Sequence, residues 1–286
     1  MSCAACFTGT PQTATPRGTY SHLYGCRTYT ATPTDPHPSG SVILYLPDFF
    51  SHKLPNNALL CDAYAGATGC TVVFPDIVMW GGVDPSWMPL FEVFYGTEPV
   101  SWWWKVVCAV RLLPMAPQFL LGMPDRAYPR VVAFARALRD GMGEEAKLGV
   151  AGFCWGGFGA TVLCKEKYLG LDGAERRLVD AAFTGHPSKL NSPRDVVEAV
   201  GSGVPYSVAV ADIDFMFDKK VSEEAEAALR GKYGSSGEGG KVWELRVHEG
   251  AHHGFCVRAR EGVKADEQGR EAALQQAVEW FKKYLL

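Results

Sequence analysis

The sequence predicts one α/β domain, with a mainly parallel sheet covered by helices on both faces. Three observations carry this. Most of six short β-branched or apolar runs lack the clean in–out alternation of a half-exposed strand, as strands buried on both faces do. Helical patterns separate these runs, which is the rhythm of strand–helix–strand units. The 286 residues are 47% hydrophobic and 21% charged, enough apolar material for one large core. That balance excludes disordered, collagen-like and disulfide-knot architectures.

In chain order, residues 1–18 show no period and are expected to form a loose tail of the single domain 1–286. A strand is expected over 41–46 (SVILYL) and a helix over 56–64, opened by asparagines suited to capping. A second strand follows at 71–74 (TVVF). Residues 77–125 break the rhythm and hold five of the eight tryptophans: Trp80, Trp87, Trp102, Trp103 and Trp104. So long a connection is either a pocket wall or lid, or a satellite hydrophobic cluster. A helix is predicted over 127–140, with Pro129 near its start and Val131, Phe134, Ala135 and Leu138 on one face. Strand 148–151 (LGVA) leads into a helix over 155–168, with Gly170 as its C-terminal stop. Strands at 181–184, 206–211 and 242–248 follow, with a helix over 218–230 before the last. The stretch 231–240 (GKYGSSGEGG) reads as a mobile loop. A helix over 268–285 closes the chain, with Leu274, Ala277, Val278, Phe281 and Leu285 at helical spacing.

The net charge of −3 comes without a basic block, so neither nucleic acid nor an anionic membrane is an expected partner. The most apolar stretch, 102–123, is interrupted by Lys105, Arg111, Pro114 and Pro117, and no membrane-spanning segment is expected. The nine cysteines are an odd number without paired metal-type spacing, and 1–18 does not read as a secretory signal. A reduced, cytoplasmic setting is the expectation. Cys3 and Cys6 form a C-x-x-C in a small-residue tail, read as a plain terminus. The assembly is expected to be a monomer or a homodimer.

The strongest chemical signal is Gly152-Phe153-Cys154-Trp155-Gly156-Gly157, between an apolar strand and a helix. This is a nucleophile elbow, G-x-nucleophile-x-G, with Cys in the reactive position. Side chains at 152 and 156 would collide with neighbouring backbone in so sharp a turn. The helix N-terminus then favours a thiolate, and the Trp155 N–H can bind an oxyanion. Two further strand ends supply partners. Ala211-Asp212-Ile213-Asp214-Phe215 follows strand 206–211, and Ala251-His252-His253-Gly254-Phe255 follows strand 242–248. The order nucleophile, acid, base is that of α/β-hydrolases, and all three groups leave one sheet edge, where open α/β folds bind ligands. Position alone leaves Asp212 and Asp214, and His252 and His253, as alternatives for acid and base.

The chain resembles the dienelactone hydrolase (carboxymethylenebutenolidase-like) family, especially its eukaryotic branch. The elbow is similar to the family's G-x-C-x-G-G, and His253-Gly254-Phe255 to its H-[SG]-F. Leu46-Pro47-Asp48-Phe49-Phe50 resembles the strand-end segment that bears an acid and a backbone oxyanion donor. Thr184-Gly185-His186-Pro187-Ser188 resembles the family's H-P-S stretch. The resemblance implies an α/β-hydrolase fold and a catalytic triad of Cys154, Asp214 and His253. It also implies an oxyanion hole from the N–H groups of Phe49 and Trp155, Asp48 as an acid that modulates the thiol, and Arg258 as a clamp for a substrate carboxylate.

The expected reaction is cleavage of a small-molecule ester or lactone through a thioester on Cys154, with no metal or organic cofactor. Glutamine amidotransferases share the elbow, but their base comes as His-x-Glu, whereas Gly-Phe follows His253. A non-catalytic receptor or thiol sensor on the same scaffold is the rival from another class. A thioesterase or general esterase would use the same residues.

Overall fold

The computed structural model describes residues 9–95, 100–170, 172–214 and 216–286. Cys3 and Cys6 lie outside them.

An antiparallel hairpin, β1 (Thr19–Leu23) and β2 (Cys26–Ala31), precedes the first predicted strand, β3 (Val42–Leu46). Helix α1 (Pro55–Thr68) and strand β4 (Thr71–Pro75) follow, and then the tryptophan-rich stretch folds as α2 (Met88–Tyr95), α3 (Trp102–Leu112) and α4 (Ala116–Leu121). Helix α5 (Pro124–Asp140) starts with proline at its first position, where the missing N–H costs nothing. It buries Val131, Phe134, Ala135 and Leu138, and it begins three residues earlier than its pattern suggests, so Pro129 falls inside it.

Strand β5 (Leu148–Phe153) is buried at every position and leads through the elbow into α6 (Trp155–Leu163). This helix stops short of the expected 168. Lys167–Leu169 (β6) instead pairs antiparallel with Glu175–Arg177 (β7), and the Gly170 N–H bonds to the Ala174 carbonyl within that turn. Strand β8 (Ala181–Gly185), helix α7 (Arg194–Gly201), strand β9 (Tyr206–Ile213) and helix α8 (Lys219–Tyr233) continue the alternation. Strand β10 (Trp243–His252), the one-turn α9 (Phe255–Arg258) and α10 (Lys264–Leu285) complete it.

The sheet order is β1-β2-β4-β3-β5-β8-β9-β10. From β4 to β10 every pairing is parallel, while β2 runs antiparallel to β4 and carries β1 on its outer edge. The parallel strands are the apolar runs of the sequence. The hairpin escaped that reading because TYSHL and CRTYTA are polar and half-exposed, as an edge tolerates.

Residues 9–18, expected to be part of a loose tail, are corrected to a pinned segment without regular structure. The Gln12 N–H donates to Asn56 Oδ1 at 2.7 Å, and Asn56 Nδ2 donates back to the Thr10 carbonyl at 3.0 Å. The Arg17 N–H donates to Asp62 Oδ2 at 2.7 Å, and Tyr29 Oη donates to the other oxygen of the same carboxylate. Buried polar partners on α1 thus hold a strap that no periodicity could announce.

Candidate active site

Five adjacent strands end at one edge, and each delivers a polar group there. Strand β3 leads to Asp48, β5 to Cys154, β8 to His186, β9 to Asp214 and β10 to His253. Parallel pairing in register brings them together: Phe153 lies opposite Gly185, and Gly185 opposite Ala209.

The elbow is as sharp as its glycines require. Cys154 sits at φ 47°, ψ −109°, outside the regions most side chains occupy. A Cβ on Gly156 would come 2.2 Å from the Leu46 carbonyl oxygen, and one on Gly152 would come 2.5 Å from the Gly156 oxygen. Backbone bonds hold the turn: the Cys154 N–H to the Gly185 oxygen, and the Gly156 N–H to the Pro47 oxygen at 2.9 Å. Cys154 is the N-cap of α6. Trp155 opens that helix, where an N–H has no partner one turn back. Ser51 and His186, at the ends of neighbouring strands, also adopt positive φ, so backbone strain gathers at this edge.

His253 Nδ1 lies 2.7 Å from Asp214 Oδ2, with both side chains fully buried. The other oxygen of Asp214 accepts the Met216 N–H at 2.8 Å. Burial alone would raise the Asp214 carboxyl, but the His253 ring, its hydrogen bond and the backbone N–H groups outweigh it and hold the acid ionised below the ordinary range. The neighbouring candidates face elsewhere. Asp212 accepts the Gly250 N–H, and His252 lies against Asp266 and Arg260.

Two residues at this edge carried no assignment from sequence. Ser188 Oγ donates to Cys154 Sγ at 3.4 Å, and the Ser188 N–H bonds the Cys154 carbonyl. His186 is wholly buried, its ring edge-to-face with His253 at 4.9 Å, and neither ring nitrogen has a hydrogen-bond partner among the described residues. Their H-P-S stretch was visible, but only the register of β8 beside β5 shows which side chain meets the thiol.

Burial, and then the electrostatic influence of the His253 ring and the Arg258 guanidinium, keep the His186 imidazole well below its ordinary value. Burial does the same for His52, stacked at 3.7 Å on Phe74 and lowered to about 3. In the unfolded chain both would take up a proton near pH 6.5. The unfolded state therefore binds more protons below that pH, and stability falls as the solution is acidified. Each histidine adds a slope approaching ~1.4 kcal/mol per pH unit. Urea midpoints are expected to drop between pH 7 and pH 5, and His52→Phe, which keeps the stacking, to shrink the drop. A midpoint that does not move would contradict the buried neutral imidazoles.

Residues 122–285 match the model of the dienelactone hydrolase family. The chain belongs to that family. It is 26% identical to the hydrolase tropI of Talaromyces stipitatus, over 99% of this chain and 96% of that one. It is 24% identical to the human carboxymethylenebutenolidase homolog, over 90% and 86%. The dienelactone hydrolase of Anabaena variabilis superposes with a TM-score of 0.52 at 16% identity, covering 96% of this chain and 99% of that one. The fold is that of the α/β-hydrolases, and the chain is an ester or lactone hydrolase.

For a dienelactone hydrolase family member, the surroundings of Asp48 are informative. Asp48 is fully buried and ion-paired with Arg258, Nη1 to Oδ2 at 2.8 Å, with neither side chain exposed. Its other oxygen accepts from the Phe50 N–H and from Asn57 Nδ2, whose amide oxygen takes the Tyr45 hydroxyl. The sequence reading gave Asp48 to the thiol and Arg258 to a substrate carboxylate, as separate roles. The structure joins the two residues directly, since α9 carries Arg258 to the 47–51 turn, where its guanidinium also lies 5.4 Å from the centre of the Phe50 ring. Phe49, between them in the chain, packs its ring on Phe119 at 5.3 Å, and its carbonyl accepts the Val83 N–H. The tryptophan-rich stretch thus abuts the oxyanion candidates: Trp155 Nε1 donates to the Gly122 carbonyl at 2.7 Å.

Proposed function

We propose that the chain hydrolyses a small-molecule ester or lactone by two-step acyl transfer, with Cys154 as nucleophile, His253 as base and Asp214 as the acid that orients it. The observation that carries the reading is the buried 2.7 Å bond between His253 and Asp214, at the edge where a strained elbow presents Cys154. Asp214 fixes the ring so that Nε2 is the proton-accepting nitrogen, and it stabilises the imidazolium.

In the first step the Cys154 thiol gives its proton to His253, and sulfur attacks the carbonyl carbon. The negative oxygen is received by the N–H groups of Phe49 and Trp155. Collapse breaks the carbon–oxygen single bond, and His253 returns its proton to the departing oxygen. In a lactone that oxygen stays tethered to the acyl chain, so the ring opens without release. Water, deprotonated by His253, then attacks the thioester, and the carboxylic acid leaves as the thiol is restored.

Asp48 and Arg258 hold the 47–51 turn, and with it the Phe49 N–H. In this reading Arg258 serves a substrate carboxylate only where the substrate displaces Asp48. Ser188 holds the resting thiol. None of the described cysteines forms a disulfide, which fits the cytoplasmic setting of this reading.

The test is steady-state hydrolysis of a neutral aryl ester beside a carboxylate-bearing enol lactone. Many turnovers on either are expected, and a lactone preference abolished by Arg258→Lys would support partner exchange. One turnover or fewer on both would instead favour a receptor.

A further inference from the structure

We propose that the outer face of α3 and α4 is a docking surface for an anionic lipid bilayer, lying flat in its interfacial layer. From Trp102 to Leu121 the chain is continuously helical, long and apolar enough to cross a membrane by length and composition, yet its apolar window is only 17% buried. A core helix would show the reverse. Trp102 and Trp103 are 73% and 63% exposed, and Leu113 and Leu120 exceed 60%. Such an apolar face is far more than the scattered single residues of an ordinary surface.

The helix is fastened along its inner side, so it does not span. Cys108, Met115 and Gln118 are buried, and Gln118 Nε2 donates to the Met79 carbonyl at 2.8 Å. Gly122, just past its end, accepts the Trp155 indole N–H. What remains is a face that can lie on a membrane but not cross one. Tryptophan suits that depth, with an apolar body and a polar N–H.

Charge selects the partner. Between Pro99 and Pro124 there is no Asp or Glu, while Lys105 and Arg111 are both exposed, in a chain whose net charge is −3. Arg111 is exposed, with its guanidinium over the Trp104 ring at 5.8 Å. Basic residues beside exposed Trp and Leu are the signature of an interfacial helix on anionic lipid. A second copy of the chain fits less well, because a two-fold contact would bring this acid-free surface against itself. Lys105, Arg111, Pro114 and Pro117 argue against a spanning segment, but this exposed helix departs from the expectation, drawn from net charge and the lack of a basic block, that an anionic membrane is no partner. The inference does not depend on the catalytic reading.

The experiment is co-sedimentation of the full chain with vesicles of phosphatidylcholine alone and of phosphatidylcholine with phosphatidylserine. The wild type is expected to pellet with the mixed vesicles, less so as salt is raised. The Trp102→Glu/Trp103→Glu variant is expected to lose roughly tenfold or more in partitioning. Lys105→Glu/Arg111→Glu keeps the apolar face and is expected to lose the preference for phosphatidylserine. Aryl ester turnover should be unchanged in both, which shows that they fold. Wild type that stays in the supernatant with both vesicles would overturn the proposal. So would tryptophan variants that pellet as well as wild type, or a dimer that they split without any vesicle binding.

Discussion

Replacing Cys154 by Ala is expected to lower kcat/KM on any accepted ester or lactone by on the order of 10⁴–10⁶, the loss that follows removal of a nucleophile acting as one unit with its base. The fold should tolerate it, since Ala fills the same strained turn without a new contact. Asp214→Asn should cost about 10⁴ by leaving His253 in the wrong tautomer. Because the three residues act together, combining the two substitutions should add little to the loss from Cys154→Ala alone. Losses that multiply would mean that Asp214 supports something other than the His253–Cys154 pair. Ser188→Ala is a useful contrast, since the hydroxyl touches the sulfur but has no place in the proton path.

Arg258→Met is expected to destabilise the protein by about 3–5 kcal/mol, because it leaves the Asp48 carboxylate buried and uncompensated. In a chain of this size that corresponds to a melting point lower by on the order of 10 °C. Asp48→Asn alone should also be costly, since it leaves the guanidinium without its counter-charge. The double substitution should be much milder than the sum, because a buried pair removed whole costs far less than one broken. Urea unfolding of the four proteins gives the coupling directly. Additive losses would show that the pair is incidental to stability.

These two predictions draw on opposite ends of what the sequence reveals. Five of the six parallel strands and the elbow were legible because a strand buried on both faces must be apolar along its length, and because a turn that tight admits only glycine at 152 and 156. An acid and a histidine after two later strands were legible by place, while the family resemblance picked Asp214 over Asp212 and His253 over His252. By contrast, Arg258 meets Asp48 across 210 positions, and a salt bridge at that separation leaves no local pattern. The stretch holding Ser188 and His186 was visible, but their relation to Cys154 and His253 comes from strand order. The β1–β2 hairpin was missed for its polarity. The helices α2–α4 were missed because prolines and crowded tryptophans hide their period, although the exposure of α3 and α4 is what marks those two for the proposed partner.

The most direct test of the account is the mass of the enzyme itself, quenched within the first turnovers of a slowly deacylating aryl ester. A thioester reading requires an adduct of the acyl mass, mapped to the peptide that carries Cys154 and discharged by hydroxylamine at neutral pH. His253→Ala should form it slowly, if at all. An acyl group found on Ser188, or full turnover with no adduct under conditions of a clear burst, would contradict Cys154 as the nucleophile.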